Sequence, residues 1–312
     1  MVFRHIIGLA FIAAVLPMAV PWLGFVFTLA IGKGLAALGV AMLLRGGLIS
    51  IGHALFFAVG AYATAFLMRD GGVKDMLLLL VLSTFIATLA GLFVGAFMVR
   101  YRAIFFAMLN LAVSMVFFTL LSKMYHVTGG TDGLRVPTPT LLGFDLSREQ
   151  FNPVLQYGAL LLMISTALIV DRYLKSPLGE ALSAVHTNEV RLEYLGVSAR
   201  SVILIAYTAS AALAGLGGAL TALAVGHIVP ELSYWTISGQ LVLIAVLGGI
   251  GGPPGAFIGA FFLELVRTFA VGFAAEAWNA IIGIALLLVI FFLPDGLYGL
   301  LQRAKKPSRH AS

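Results

Sequence analysis

The chain is almost continuously apolar apart from one hydrophilic island, Asp171–Arg200, which reads DRYLKSPLGEALSAVHTNEVRLEYLGVSAR. This alternation constrains the fold more than any other feature. A bilayer core needs about 20 apolar residues per helical span, and the 312 residues supply many such stretches. Only 10% of the residues are charged, against about 25% in a soluble globular domain. The apolar runs are long and lack period-two alternation, which excludes a transmembrane barrel. Glycine, at 35 residues, suits close helix packing in lipid. The expected fold is an all-α polytopic membrane protein.

Ten hydrophobic segments are predicted: Ile6–Val20, Trp22–Leu44, Ser50–Met68, Met76–Val99, Ile104–Ser122, Val154–Val170, Val202–Val225, Ile237–Gly249, Ala256–Val271 and Trp278–Leu293. A turn at Pro17 and Pro21 is expected to separate the first two. Ser50–Met68 and Ile237–Gly249 are glycine-rich or short and read as broken or re-entrant helices, which lipid tolerates only where they face protein or a watery cavity. The basic, apolar start resembles a leader peptide, but the next span follows at once and Arg4 fits an interior end. With both termini inside, twelve of the nineteen Lys and Arg residues fall in interior segments: Arg4, Arg45, Arg100, Arg102, Arg172, Lys175, Arg191, Arg200, Arg303, Lys305, Lys306 and Arg309. Five fall in outer loops, Arg69, Lys74, Lys123, Arg135 and Arg148, and two, Lys33 and Arg267, within spans. This bias predicts N-in, C-in topology with the island on the cytoplasmic face. The net charge of +6 is thus a topology signal and does not point to nucleic acid. The absence of cysteine excludes disulfides and thiolate chemistry.

Within the island, Ser176-Pro177 opens a helix, with Glu180 early in it, where negative charge suits the helix dipole. Asn188 is the expected N-cap of a second helix, Glu189–Leu195, and Gly196 its stop. On that helix Val190, Tyr194 and Leu195 share one side and Glu189 and Glu193 another. Such a helix either seats in a groove of a soluble partner or is a solvated loop with incidental helicity.

Several segments resemble, in order, the LivM-type permeases, membrane subunits of bacterial ABC importers for branched-chain amino acids. SPLGEALSAVHTNEVRLEYLGV (Ser176–Val197) is similar to that family's cytoplasmic coupling loop, and AYTASAALAGLGGAL (Ala206–Leu220) to the span after it. SIGHALFFAVGAYATAFL (Ser50–Leu67), TGGTDGL (Thr128–Leu134) and VLGGIGGPPGAFIGA (Val246–Ala260) resemble its other signatures. Departures are Arg45-Gly46-Gly47 in place of a longer polar turn, Ala41 where asparagine is frequent, and the Pro253-Pro254 pair.

The resemblance implies one transmembrane permease domain over residues 1–302, with a coupling loop at 171–201, an outer loop at 123–153 and a basic cytoplasmic tail at 303–312, in the bacterial inner membrane. It implies four partners besides lipid: a second, LivH-like permease, two cytoplasmic LivG/LivF-like ATPases and a periplasmic amino-acid-binding protein. No phosphate-binding G-x-x-x-x-G-K-[ST] loop is present, so ATP with Mg²⁺ belongs to the partners and the chain binds no cofactor or metal and has no catalytic residue. ATPase-coupling residues would be Glu180, Asn188, Glu189, Arg191, Glu193, Leu195 and Gly196. Gly129, Gly130, Thr131, Asp132 and Gly133 would face the binding protein, or form a purely structural turn with Asp132 bonding backbone amides.

Lys33, His53, Asn110, Glu264 and Arg267 are the intramembrane polar groups that either mark a path or serve structure. Glu264 and Arg267, three apart, are expected to neutralise each other. His53 is expected to make a helix-end hydrogen bond, and Lys33 to face the path or snorkel. Two rival readings are an ion-coupled secondary transporter and an ABC permease for urea, short amides or ribose-like sugars. An intramembrane enzyme would need a nucleophile elbow or a metal-binding histidine pair, and neither motif is present.

Overall fold

The computed structural model describes residues 2–249, 251–273 and 296–303, together with positions 280, 283, 284, 287, 291 and 292. Its helices are α1 (Val2–Ala19), α2 (Trp22–Arg45), α3 (His53–Arg69), α4 (Met76–Met98), α5 (Ala103–Lys123), the single turn α6 (Tyr125–Thr128), α7 (Arg148–Leu174), α8 (Pro177–Tyr194), α9 (Ala199–Val225), α10 (Trp235–Gly248), α11 (Pro253–Phe273) and α12 (Gly296–Arg303). Six of them, α2, α4, α5, α7, α9 and α11, are long and apolar enough to cross a membrane. The apolar helices Arg4–Pro17, His53–Arg69 and Trp235–Gly248 are shorter. The segment expected at Trp278–Leu293 lies largely outside the described residues, as does the tail from residue 304 onward.

The core is where α2, α3 and α9 meet. A helix that is apolar all round must be buried or face lipid, and α2 is buried at every residue from Ala30 to Val40. Glycine permits this. A Cβ on Gly217 would collide with the Gly32 carbonyl, one on Gly218 with the Phe57 carbonyl, and one on Gly60 with the Gly215 carbonyl. The α9 backbone therefore touches those of α2 and α3 directly, as small-residue packing in lipid allows. By contrast α4 and α5 expose Phe93, Ile104, Phe105 and Met108, an apolar face suited to lipid or to another membrane subunit.

Loops gather at two ends. At one end, Leu182 of α8 lies against Gly46, His186 lies against Gly47, and Arg102 binds Glu189. The α2–α3, α4–α5 and α7–α9 connections thus share that end. At the other end Arg69 donates to the Val127 carbonyl at 2.8 Å, and Thr140 donates its amide to the Lys74 carbonyl at 2.8 Å. There β1 (Leu134–Arg135) pairs antiparallel with β2 (His227–Ile228), Leu134 opposite Ile228.

Two local expectations are corrected. Pro17 lies inside α1 and the chain breaks at residues 20–21 instead. A proline in a helix leaves the carbonyl four residues back without its donor; here that carbonyl, on Ala13, accepts from the Gln156 side chain of α7 at 3.0 Å. In segment 46–52 Leu48 and Ser50 are buried, so α3 begins inside the bundle, where protein replaces water as partner. Finally, α7 starts at Arg148, six residues before the predicted span. Ser147 and Gln150 form a reciprocal capping box there, which satisfies two helix-end amides. Ser147→Ala is expected to cost about 1 kcal/mol, read as a lower unfolding midpoint in detergent; an unchanged midpoint would show that the box adds nothing.

Candidate functional site

The island folds as α8, and its ends follow from its residues. Ser176 caps the start, its hydroxyl accepting from the Gly179 amide at 3.4 Å, with Pro177 in the first turn. The helix is broken once, at Asn188, whose backbone is extended (φ −162°, ψ 93°). Its side-chain oxygen accepts from the Arg191 amide at 2.9 Å, so Asn188 is the N-cap that its position predicts. At the far end Gly196 takes φ +81°, a conformation glycine adopts without steric cost. Its amide donates to Glu193 and that of Val197 to Leu192.

The two faces of α8 differ in kind. Leu182, Val185 and Leu192 are buried against the bundle. Val190, Tyr194 and Leu195 are 62%, 88% and 76% exposed. The apolar face anticipated for the second half therefore points away from the protein at the loop-rich end. Glu180, Arg191 and Glu193 are exposed around it.

Glu189 is different. Both of its oxygens accept from Arg102, Oε2 from Nε at 2.8 Å and Oε1 from Nη2 at 2.7 Å. The hydrogen bonds from the Arg102 side chain, more than anything else, hold the Glu189 carboxyl below the usual carboxylate range. This contact is present at neutral pH and fades only as pH falls through that lowered value.

The turn Gly129–Gly133 lies at the opposite end. Gly129, Gly130 and Gly133 have φ of +73°, +54° and +73°, and Thr131 and Asp132 are exposed. Asp132 does not bond backbone amides. Its carboxylate accepts from the Tyr125 hydroxyl at 3.2 Å, and the Thr128 hydroxyl holds the turn instead, donating to Leu121 and accepting from the Gly130 amide.

The intramembrane groups fall into two clusters. Glu264 of α11 keeps Arg267 at 3.9 Å, as expected, and in addition binds Lys33 of α2, the nearer cation. Lys33 and Glu264 are both buried, so Lys33 neither snorkels nor stands alone. The Lys33–Glu264 pairing crosses 231 positions in sequence, so i, i+3 spacing found Arg267 and not the nearer partner. The second cluster centres on His53, whose Nδ1 meets Ser50 Oγ at 2.7 Å and whose Nε2 meets Ser210 Oγ at 2.9 Å. Asn110 accepts from the Tyr207 hydroxyl and donates to the Phe106 carbonyl. His53, Asn110 and Ser210 are buried, and both ring nitrogens are occupied, an arrangement that fixes α3, α5 and α9 together. Tyr207, Ser210 and Arg102 were not singled out as site residues from sequence; only their partners across the fold reveal them.

A family model described as branched-chain amino acid transport system / permease component matches residues 22–291. The chain is 30% identical over 272 residues to the high-affinity branched-chain amino acid transport system permease protein LivM of Escherichia coli, covering 80% of this chain and 64% of that protein. It is 29% identical over 170 residues to the corresponding protein BraD of Pseudomonas aeruginosa, covering 52% and 55% of the two chains. Over 157 residues it is 28% identical to the permease LivH of Escherichia coli, half of each chain. The chain thus spans 64% of the length of its LivM relative. No solved structure matches it.

Proposed function

The chain belongs to the branched-chain amino acid transport permease family, and from that membership we propose that it is the LivM-type subunit of an ATP-driven importer carrying leucine, isoleucine and valine. It is a multi-pass membrane protein of the inner membrane. On this reading residues 1–302 form one permease domain of about ten crossing or re-entrant helices, with both termini in the cytoplasm and residues 303–312 as a basic tail. A LivH-like permease sits beside it, two ATPases bind and hydrolyse ATP-Mg below it, and a binding protein delivers substrate to the outer loop at 123–153, with Gly129–Gly133 facing it.

One observation carries the reading. The second half of α8 offers an apolar face, Val190, Tyr194 and Leu195, to the solvent side of a membrane protein, fixed at both ends by Asn188 and Gly196. A capped helix presenting an apolar face is suited to seating in a partner's groove. Closure of the ATPases on nucleotide would then move the permease helices as rigid bodies and alternate access to a central path.

Reconstitution in vesicles tests this. With the second permease, both ATPases and the binding protein, leucine should accumulate only when ATP is supplied. The chain alone under a proton or sodium gradient should accumulate nothing, and solo uptake would establish a secondary transporter instead. Displacement of leucine from the binding protein by urea or ribose would move the substrate assignment to those classes.

A further inference from the structure

We propose that Arg102 is a strut that passes movement of α8 into the α4–α5 corner, so that the two halves of α8 drive different parts of the bundle. The inference rests on the reading of α8 as the ATPase-coupling helix and identifies a positioning residue for it outside the island.

Three observations build the strut. First, all three nitrogens of the Arg102 guanidinium donate hydrogen bonds. Beyond its two bonds to Glu189, Nη1 donates to the carbonyls of Val99 at 2.5 Å and Tyr101 at 2.9 Å. Val99 is the C-cap of α4 and Arg102 the N-cap of α5, so one side chain ties the corner's own backbone to α8. A planar fork matched to both carboxylate oxygens resists rotation as well as separation.

Second, the corner has little slack. Ala103, next to Arg102, holds φ at +49°, a left-handed conformation that a non-glycine residue adopts only when its surroundings impose it.

Third, Glu189 directly follows the break at Asn188. The half of α8 before the break packs Leu182 against Gly46 and His186 against Gly47 at the end of α2. The half after it carries the exposed face and is held to the α4–α5 corner by Glu189. A non-helical residue between two helical halves can absorb a change of angle. A push on Tyr194 and Leu195 therefore reaches α4 and α5 through the strut, while α2 is engaged separately through the first half.

The test is a charge exchange in the complete importer with its ATPases and binding protein, reading leucine accumulated per ATP hydrolysed. Arg102→Glu and Glu189→Arg should each lower this ratio by about tenfold, and Arg102→Lys by less, because lysine keeps the charge but loses the fork. The exchanged pair Arg102→Glu with Glu189→Arg should recover most of the loss. Recovery by the pair separates a specific contact from a variant that merely folds badly. Single variants with the wild-type ratio, or a pair no better than its worse member, would overturn the strut. These outcomes are distinct from failure of the coupling assignment, in which the wild-type chain would show no ATP-dependent uptake with its partners at all.

Discussion

Glu264→Ala is expected to destabilise the folded protein by about 3–5 kcal/mol, the cost of stranding one member of a buried ion pair. Lys33 would be left buried between α2 and α11 without its carboxylate. Taking a charge out of water costs several kcal/mol, and only a close counter-charge offsets it. Lys33→Ala should cost less, since Glu264 keeps Arg267 at 3.9 Å. The double change Lys33→Met with Glu264→Leu should lie near wild type, because apolar groups of similar size in place of a buried pair are often neutral or stabilising. Unfolding midpoints in detergent for the three variants decide the matter. If the double variant fell as far as Glu264→Ala, the pair would be contributing something beyond mutual neutralisation, such as a defined geometry in the path. If Glu264→Ala were neutral, the site would be open to water.

Tyr194→Asp combined with Leu195→Asp is expected to lower ATP-dependent uptake by about two orders of magnitude, since central apolar anchors dominate most protein interfaces. Both side chains are largely exposed in the isolated chain, so the substitutions leave its core and its unfolding midpoint untouched. Loss of uptake with loss of ATPase co-purification would locate the docking face on the second half of α8. Retained uptake would place the ATPase contact on another surface. Glu193→Lys belongs to the same test, because Glu193 is exposed. Glu189→Lys does not: Glu189 is engaged with Arg102 of its own chain, so charge reversal there breaks an internal link before it reaches any partner.

Much of the island could be read directly from its residues. Ser176-Pro177, Asn188 and Gly196 act through their own backbone and the next turn, and those interactions are written in adjacent positions. The break at Asn188 followed from the same logic. The six helices long and apolar enough to cross a membrane were legible for a similar reason: an apolar run either suits the bilayer or does not. The misreadings share the opposite property. Pro17 looked like a helix breaker because Gln156, which satisfies the carbonyl it orphans, lies 143 positions from Ala13. Lys33 looked like a path-facing or snorkelling group because Glu264, which binds it, lies 231 positions away.

What the sequence by itself determined is which stretches are apolar and how α8 begins, breaks and ends, since hydropathy and capping are settled within a turn or two. What only the tertiary structure decided is which polar groups hold each other: Lys33 with Glu264, His53 with Ser210, Arg102 with Glu189. In lipid a buried polar group must find a partner inside the protein. Which partner it finds depends on backbones meeting at glycines such as Gly32, Gly217 and Gly60, a three-dimensional fact that no local pattern carries.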